Sequence, residues 1–177
     1  MVEKRAGAWI QTYTGRQFWP MDARVEEIDI LDIAHALSML CRFNGHCRRF
    51  YSVAEHAVHV SRVVASPHAR WGLLHDAAEA YLSDIPKPVK MELPAFHPWE
   101  ERLLGVIGER FGLESRIPEA VKLADMRLLA TEKAALMGPE PTPWPGLPEP
   151  LPDLRILCWS PEVAREAFLK RFAELFP

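Results

Sequence analysis

The sequence is poor in cysteine, has no long apolar run and carries no excess of basic charge. Its three cysteines are odd in number and contain no CxxC pair, which excludes a disulfide framework and a cysteine-based zinc motif. We therefore expect Cys41, Cys47 and Cys158 to be free thiols in a reducing, cytoplasmic compartment, although pairing of Cys41 with Cys47 is the open alternative.

No run of about 18 apolar residues occurs, and the first twenty residues lack the apolar segment of a secretory signal. Membrane insertion and export are therefore not expected. Lys and Arg number 21 against 24 Asp and Glu, which gives a formal net charge of −3. Because this balance supplies no broad basic surface, duplex nucleic acid is not an expected partner.

The chain has 177 residues, of which 49% are hydrophobic and 25% charged, the composition of one globular domain. We expect a single domain over 1–177, with an N-terminal arm at 1–25, a proline-rich loop at 138–153 and a C-terminal helix at 160–176. Seven prolines between residues 139 and 152 prevent a helix or a central strand there.

Apolar residues recur at three- and four-residue spacing through most of the chain, which predicts an all-α fold of about six helices. Residues 12–19 surround a glycine and predict a small N-terminal β-hairpin. Ser52 and Glu55 have the spacing of a capping box, in which each side chain meets the other residue's backbone. The predicted helices cover about 28–42, 52–64, 69–82, 98–111, 118–136 and 160–175.

An adjacent histidine and aspartate, His75 and Asp76, stand in an apolar stretch of the third helix. Burying them without partners is costly, so a bound ion is one way to satisfy them. Helix two offers His56, helix five offers Asp125, and Glu79 lies one turn after the pair. Two imidazoles and two carboxylates suit a divalent cation such as Mn, Fe, Co, Ni, Zn or Mg.

Four short motifs occur in one order along the chain: SVAEH at 52–56, HDAAE at 75–79, LSDIPKPVK at 82–90 and KLAD at 122–125. With these motifs, residues 28–136 resemble the HD-domain phosphohydrolases, and specifically their short 5′-deoxynucleotidase branch. Residues 13–16 and 41–46 are further similar to the compact phage and prophage-type members. The resemblance implies an HD-type helical fold and a homo-oligomer.

The resemblance also implies roles for individual residues. His56, His75, Asp76 and Asp125 would ligate the metal, and Glu79 would orient or deprotonate the attacking water. The implied reaction is the metal-dependent release of phosphate from deoxyribonucleoside 5′-monophosphates. A deoxynucleoside triphosphate triphosphohydrolase is the first alternative, signalling-nucleotide hydrolysis a weaker one, and a binding module with a structural metal comes from another class.

Substrate contacts follow from the same resemblance. Arg42 and Phe43 look like the family's arginine–aromatic pair, with Arg42 on phosphate. Asp84 would contact the sugar or the leaving oxygen, and either Asp84 or Glu79 would assist proton transfer. Lys87 stands where relatives often have a small residue, which leaves substrate preference open. Lys90 would hold phosphate or lie in solvent. Trp19 would form an aromatic wall against the base, or pack in the core of the arm.

The remaining histidines and Glu132 have structural interpretations. His59 is predicted to lie on the surface or behind the ligands rather than among them. His35 is either a core histidine bonded to a carbonyl or a site residue, and His46 lines the pocket or caps a turn. Glu132 is predicted to pair with an arginine rather than to bind metal. The His75–Asp76 pair itself could be a buried hydrogen-bonded contact between helices.

Overall fold

The computed structural model describes residues 5–177, and these form a mostly helical fold with a small antiparallel hairpin near the N-terminus. The predicted all-α class and the hairpin are therefore confirmed. The strands are β1 (Ile10–Gln11) and β2 (Gln17–Phe18). The helices are α1 (Ile30–Met39), α2 (Val53–Val63), α3 (Ala69–Leu74), α4 (Glu79–Leu82), α5 (Lys87–Met91), α6 (Phe96–Arg110), α7 (Glu119–Leu136) and α8 (Pro161–Leu175).

The hairpin pairs Ile10 with Phe18 and turns at Gly15, whose φ of +85° is readily adopted by glycine. Phe18 is fully buried, and its ring stacks on that of Tyr81 in α4 with 4.1 Å between the centroids. This aromatic pair holds one end of the hairpin against the helical body, and at its turn the amide of Thr14 donates to Oδ1 of Asp32 in α1 at 2.7 Å.

Helix α2 is the centre of the fold, since every residue from 53 to 61 is buried. It packs against α1, α3, α7 and α8. Ser52 caps it as predicted, because its Oγ accepts a hydrogen bond from the Glu55 amide at 3.1 Å. The other half of the predicted capping box is wrong. The Glu55 carboxylate instead accepts hydrogen bonds from the backbone amides of residues 157–159 at 3.1, 3.0 and 2.6 Å.

The predicted helix over 69–82 is not continuous. It leaves α-helical geometry after Leu74, passes through tighter turns and resumes at Glu79. Hydrogen bonds from Ala77 N to Leu74 O and from Glu79 N to Asp76 O, at 3.0 and 2.9 Å, span three residues rather than four. The tighter winding over 75–78 changes the directions of the His75 and Asp76 side chains relative to a regular helix.

Close packing of α3 on α2 depends on Gly72. A Cβ atom at this position would lie 2.9 Å from the Ser61 Cα atom, closer than side chains approach backbone. Helix α5 was not predicted. It starts after Pro86, with Pro88 in its first turn, a position where proline is tolerated because its missing N–H has no partner in the helix.

The predicted first helix ends early, at Met39, and a separate short turn covers residues 42–45. Phe43 and Asn44 in this turn have φ values of 55° and 51°, in the left-handed region. Residues 139–152 form neither helix nor strand, as predicted. The sequence of 154–159 predicts a short extended run, and this run forms no strand with any other segment of residues 5–177. Among residues 5–177, no helix has both the length and the apolar character needed to cross a bilayer.

Candidate functional site

Four side chains from three parts of the fold converge at one point. The Nε2 atom of His56, on α2, lies 3.2 Å from Nε2 of His75 and 3.1 Å from Oδ1 of Asp125, on α7. Oδ2 of Asp76 lies 3.5 Å from Nε2 of His56 and 3.3 Å from Nε2 of His75. The structure therefore brings together all four residues predicted as metal ligands.

Hydrogen bonds behind the two imidazoles set their orientation. Nδ1 of His56 donates to Oε1 of Glu132 at 2.6 Å, and Nδ1 of His75 donates to the Gly72 carbonyl at 2.9 Å. Both acceptors are oxygens, so the Nδ1 atoms carry hydrogen and the Nε2 atoms face the centre. Such outer hydrogen bonds are typical of metal-binding histidines.

The donor set fits a divalent cation. Two imidazole nitrogens and two carboxylates facing one point repel each other unless positive charge lies between them. Burial and the Arg42 charge disfavour the charged form of His56, but Glu132 and Asp125 outweigh them and raise its pKa to about 10. The carboxylates around His56 therefore favour positive charge at this point, which a bound cation would supply.

Glu132 connects the convergence point to the substrate side. It is fully buried, and besides His56 it accepts hydrogen bonds from the Tyr51 hydroxyl at 2.8 Å and from Nε of Arg42 at 3.1 Å. The predicted pairing of Glu132 with an arginine is thus observed. Burial opposes ionisation, but the charges of Arg42 and His56 keep the pKa of Glu132 below its ordinary value. The Nη1 atom of the Arg42 guanidinium lies 3.6 Å from Oδ2 of Asp76.

A cavity of about 810 Å³ opens beside the four converging residues, with Asp76 and Asp125 in its lining. This volume is within the range of small-molecule sites. Six residues predicted for substrate binding or catalysis also line it, namely Arg42, Phe43, Glu79, Asp84, Lys87 and Lys90. Residues of the second, third and fourth motifs and of the arginine–aromatic pair therefore share one concave surface.

Glu79 is the cavity residue with the electrostatics of a general acid or base. Burial, followed by the nearby charges of Asp76 and Asp84, raises its pKa well above the ordinary value. Its Oε2 atom is buried without a hydrogen-bond partner among residues 5–177, and Oε1 lies 3.4 Å from Nζ of Lys90. Lys90 also contacts Glu100 at 2.7 Å, so it does not lie free in solvent. Burial likewise raises the pKa of Asp84.

No protein-family model matches the sequence. The uncharacterized protein YfdR of Escherichia coli K12 is 40% identical over 171 residues, which cover 95% of this chain and 96% of YfdR. The chain belongs to the YfdR family. A second relative is an uncharacterized protein of Rhodobacter capsulatus. It is 34% identical over 183 residues, which cover 93% of this chain and 93% of the relative. In both cases the likeness covers nearly the whole length of both chains.

The aromatic wall of this YfdR-family cavity differs from the prediction. Trp19 lies outside the cavity, where its ring packs under the guanidinium of Arg5 at 4.4 Å. Its neighbour Phe18 takes the core position, whereas Trp19 follows the end of β2 and is half-buried. Trp144 lines the cavity instead, with its ring 6.4 Å from that of Phe43. The signal for it was a lone aromatic residue within the proline-rich segment.

The other histidines lie apart from the convergence point. His59 is buried rather than on the surface, with Nε2 3.6 Å from Oε1 of Glu55. His35 stacks on Tyr13 with 3.8 Å between centroids, and its Nδ1 finds no hydrogen-bond partner within the described part of the chain. His46 is exposed, and its amide closes a turn on the Phe43 carbonyl at 2.9 Å.

The cysteines are free thiols, as expected from their number. The Sγ atoms of Cys41 and Cys47 lie 3.5 Å apart, on either side of the turn that holds Arg42. Burial, helped by the contact with Cys41, raises the pKa of Cys47 to about 11, so its thiol is a poor nucleophile at neutral pH.

Proposed function

We propose that this protein is a metal-dependent phosphohydrolase of the HD-domain type that releases phosphate from deoxyribonucleoside 5′-monophosphates. The observation that carries the proposal is the convergence of His56, His75 and Asp125, whose ligand atoms lie within 4.8 Å of one another, at the edge of a cavity that also contains Glu79. Oδ2 of Asp76 lies within 3.5 Å of both imidazoles. Nitrogen and oxygen donors beside a group with a raised pKa are the components that metal-assisted hydrolysis requires.

The four converging residues would hold a divalent cation, which when bound supplies positive charge to the phosphoryl group and lowers the pKa of water. Glu79 accepts the proton of the attacking water, because burial and the charges of Asp76 and Asp84 raise its pKa and so make its carboxylate a stronger base than an exposed one. Arg42 is fixed by Glu132 and presents its remaining N–H groups to a phosphoryl oxygen. Asp84 contacts the sugar or the leaving oxygen from the same cavity.

A deoxynucleoside triphosphate triphosphohydrolase is the second candidate. Lys87 favours it, since this exposed lysine lines the cavity and has no ion pair within residues 5–177. Its ammonium group is therefore available to form charge-assisted hydrogen bonds with additional phosphates. In this candidate the bond to the α-phosphate is cleaved and the product is inorganic triphosphate.

A binding module with a structural metal is less well supported. A structural site is closed by protein ligands, whereas here Asp76 and Asp125 both line an open cavity. The carboxylate proposed to take the water's proton is also present. The odd number of thiols favours a reducing compartment, so we place the reaction in the cytoplasm.

The test is a product analysis with defined metals. Purified protein is incubated with dAMP or dATP in the presence of Mn, Co, Zn or Mg, and products are separated by chromatography. Inorganic phosphate from dAMP supports the nucleotidase, and triphosphate from dATP supports the second candidate. A Glu79→Gln protein purified in parallel controls for contaminating phosphatase. Absence of both products with all four metals would overturn both hydrolase proposals.

A further inference from the structure

The proline-rich segment, residues 139–152, extends along the cavity and carries one aromatic residue, Trp144. Trp144 lines the cavity together with Pro145 and Leu147 of the same segment. Its ring is 37% exposed, and the ring of Phe43 faces it at 6.4 Å with a tilt of 56°. A flat apolar surface is therefore open to the same space as Asp76 and Asp125.

Contacts at both ends hold this segment on helix α7. Near its start, Glu140 forms an ion pair with Lys133. Near its end, the amide of Leu151 donates to Oγ1 of Thr131 at 2.8 Å. Prolines between these contacts restrict the backbone, so the segment resists bending. Because α7 also carries Asp125, these contacts attach the segment of Trp144 to the same helix as one of the proposed metal ligands.

Trp144 also contacts a lysine of α7 that lies outside the cavity lining. Nζ of this residue, Lys133, lies 5.4 Å from the ring centroid. Asp125 and Lys133 are eight residues apart on one helix, which separates them by about 12 Å along its axis. A separation of this order is comparable to the length of a nucleoside monophosphate. The apolar residues Met126 and Leu129 line the cavity between them.

We propose that the nucleobase of the substrate stacks on Trp144 while its phosphate lies at the convergence point, so that Trp144 is a base-recognition residue. This inference rests on the proposed nucleotide phosphohydrolase. The tilt of Phe43 places that ring against the edge of a base that stacks on Trp144. Stacking on an aromatic side chain favours every base and purines most, because purines have the larger π surface.

The test measures binding separately from turnover. The probe is the 5′-phosphonate analogue of dAMP, whose C–P bond is not hydrolysed, and inorganic phosphate serves as the ligand without a base. Calorimetric titrations compare the wild-type protein with Trp144→Ala and Trp144→Phe. Trp9→Phe is the matched control, since Trp9 is an exposed tryptophan outside the cavity.

For Trp144→Ala we expect the Kd of the phosphonate to rise about tenfold or more, with the Kd of inorganic phosphate unchanged. Trp144→Phe restores most of the affinity, and Trp9→Phe does not alter it. In turnover assays Trp144→Ala raises KM for dAMP and leaves kcat within about twofold, as expected for loss of uniform binding.

Equal phosphonate affinity in the wild-type and Trp144→Ala proteins would overturn the inference, whether or not dAMP is hydrolysed. Equal loss of phosphonate and phosphate binding would also overturn it, since that result indicates disruption of the cavity. Hydrolysis of p-nitrophenyl phosphate by the wild-type protein tests the phosphohydrolase proposal independently of any base. Failure of the base inference and failure of the proposed chemistry are therefore distinguishable.

Discussion

The two sides of the cavity are built differently. On the convergence side, His56 is fully buried and both of its ring nitrogens have partners, while Glu132 behind it accepts hydrogen bonds from three residues. On the opposite side, Lys87 is exposed and Trp144 is 37% exposed. The first side fixes charge in one geometry, whereas the second offers surfaces that ligands can use without rearranging the core.

The largest effect is expected for Asp76→Ala, on the convergence side. Loss of this carboxylate removes one of four donors and leaves the His56–His75 pair with less negative charge. We expect metal binding and phosphohydrolase activity to fall to background while helical content is retained. Elemental analysis and circular dichroism measure the two properties. The control is Asp153→Ala, an exposed aspartate, and full metal content in Asp76→Ala would exclude Asp76 from the site.

Glu79→Gln should separate the reaction from metal binding. The amide preserves size but cannot accept a proton, so kcat should fall by roughly 100-fold or more while metal content stays normal. Steady-state kinetics with elemental analysis make the measurement. The exposed Glu92→Gln serves as the control. An unchanged kcat would remove Glu79 from the reaction and move the proton transfer to Asp84.

Glu132→Gln tests whether the hydrogen bond from His56 to Glu132 contributes to metal affinity and to stability. The amide cannot balance the Arg42 charge, and it weakens the hydrogen bond that holds His56. We expect metal affinity to fall about 10- to 100-fold and the free energy of unfolding to fall by about 3 kcal/mol. Calorimetry and chemical denaturation report these changes. Glu119→Gln, exposed on the same helix, should change neither, and wild-type affinity in Glu132→Gln would show that His56 needs no such support.

Gly72→Ala tests the packing that positions His75. The new methyl group would meet the Ser61 backbone at 2.9 Å, so we expect a loss of about 1–3 kcal/mol in the free energy of unfolding. Gly105→Ala on α6 is the matched variant, because no atom lies within 4 Å of its added Cβ. It should stabilise the protein by about 0.5–1 kcal/mol. Thermal unfolding of both variants gives the comparison, and equal effects would contradict the packing argument.

Lys87→Ala should have the smallest effect, on the exposed side. If one phosphate binds, KM for dAMP rises by about threefold or less, because an exposed lysine contributes little. If a triphosphate binds, KM for dATP rises about tenfold. Kinetics with both substrates measure the difference, and a large effect on metal content would show that the two sides are not separable.

The convergence side was predictable from the sequence because its residues stand in short motifs within helices. Helical periodicity placed His56 and Asp125 on α2 and α7, and the HD pair was conspicuous in an apolar stretch. The exposed side was not predictable to the same extent. Trp144 belongs to a segment without periodicity, so its path across the cavity is fixed by tertiary contacts such as Lys133–Glu140. No local pattern encodes such a contact.

Two errors in the predicted fold also come from contacts that a local sequence pattern does not encode. The helix over 69–82 has a continuous apolar pattern, but the i to i+3 hydrogen bonds across residues 75–78 interrupt it. Ser52 capped its helix as predicted because capping depends on neighbouring residues. The Glu55 half of the box was wrong because the backbone amides of residues 157–159 hold its carboxylate. Competition from distant residues cannot be read from a four-residue motif.

The hydrogen bonds between the Glu55 carboxylate and the amides of residues 157–159 have a consequence for folding during synthesis. These residues follow Glu55 by 102 to 104 residues, and a ribosome adds residues at about 5–20 per second. The helix that carries His56 therefore emerges roughly 5 to 20 seconds before the amides that neutralise its buried carboxylate. Until residue 159 has emerged, α2 has an unpaired acidic side chain that favours contact with water over the core. The histidine-bearing helix thus completes its burial late in translation, after α1, α3 and α7 have been made and as α8 follows.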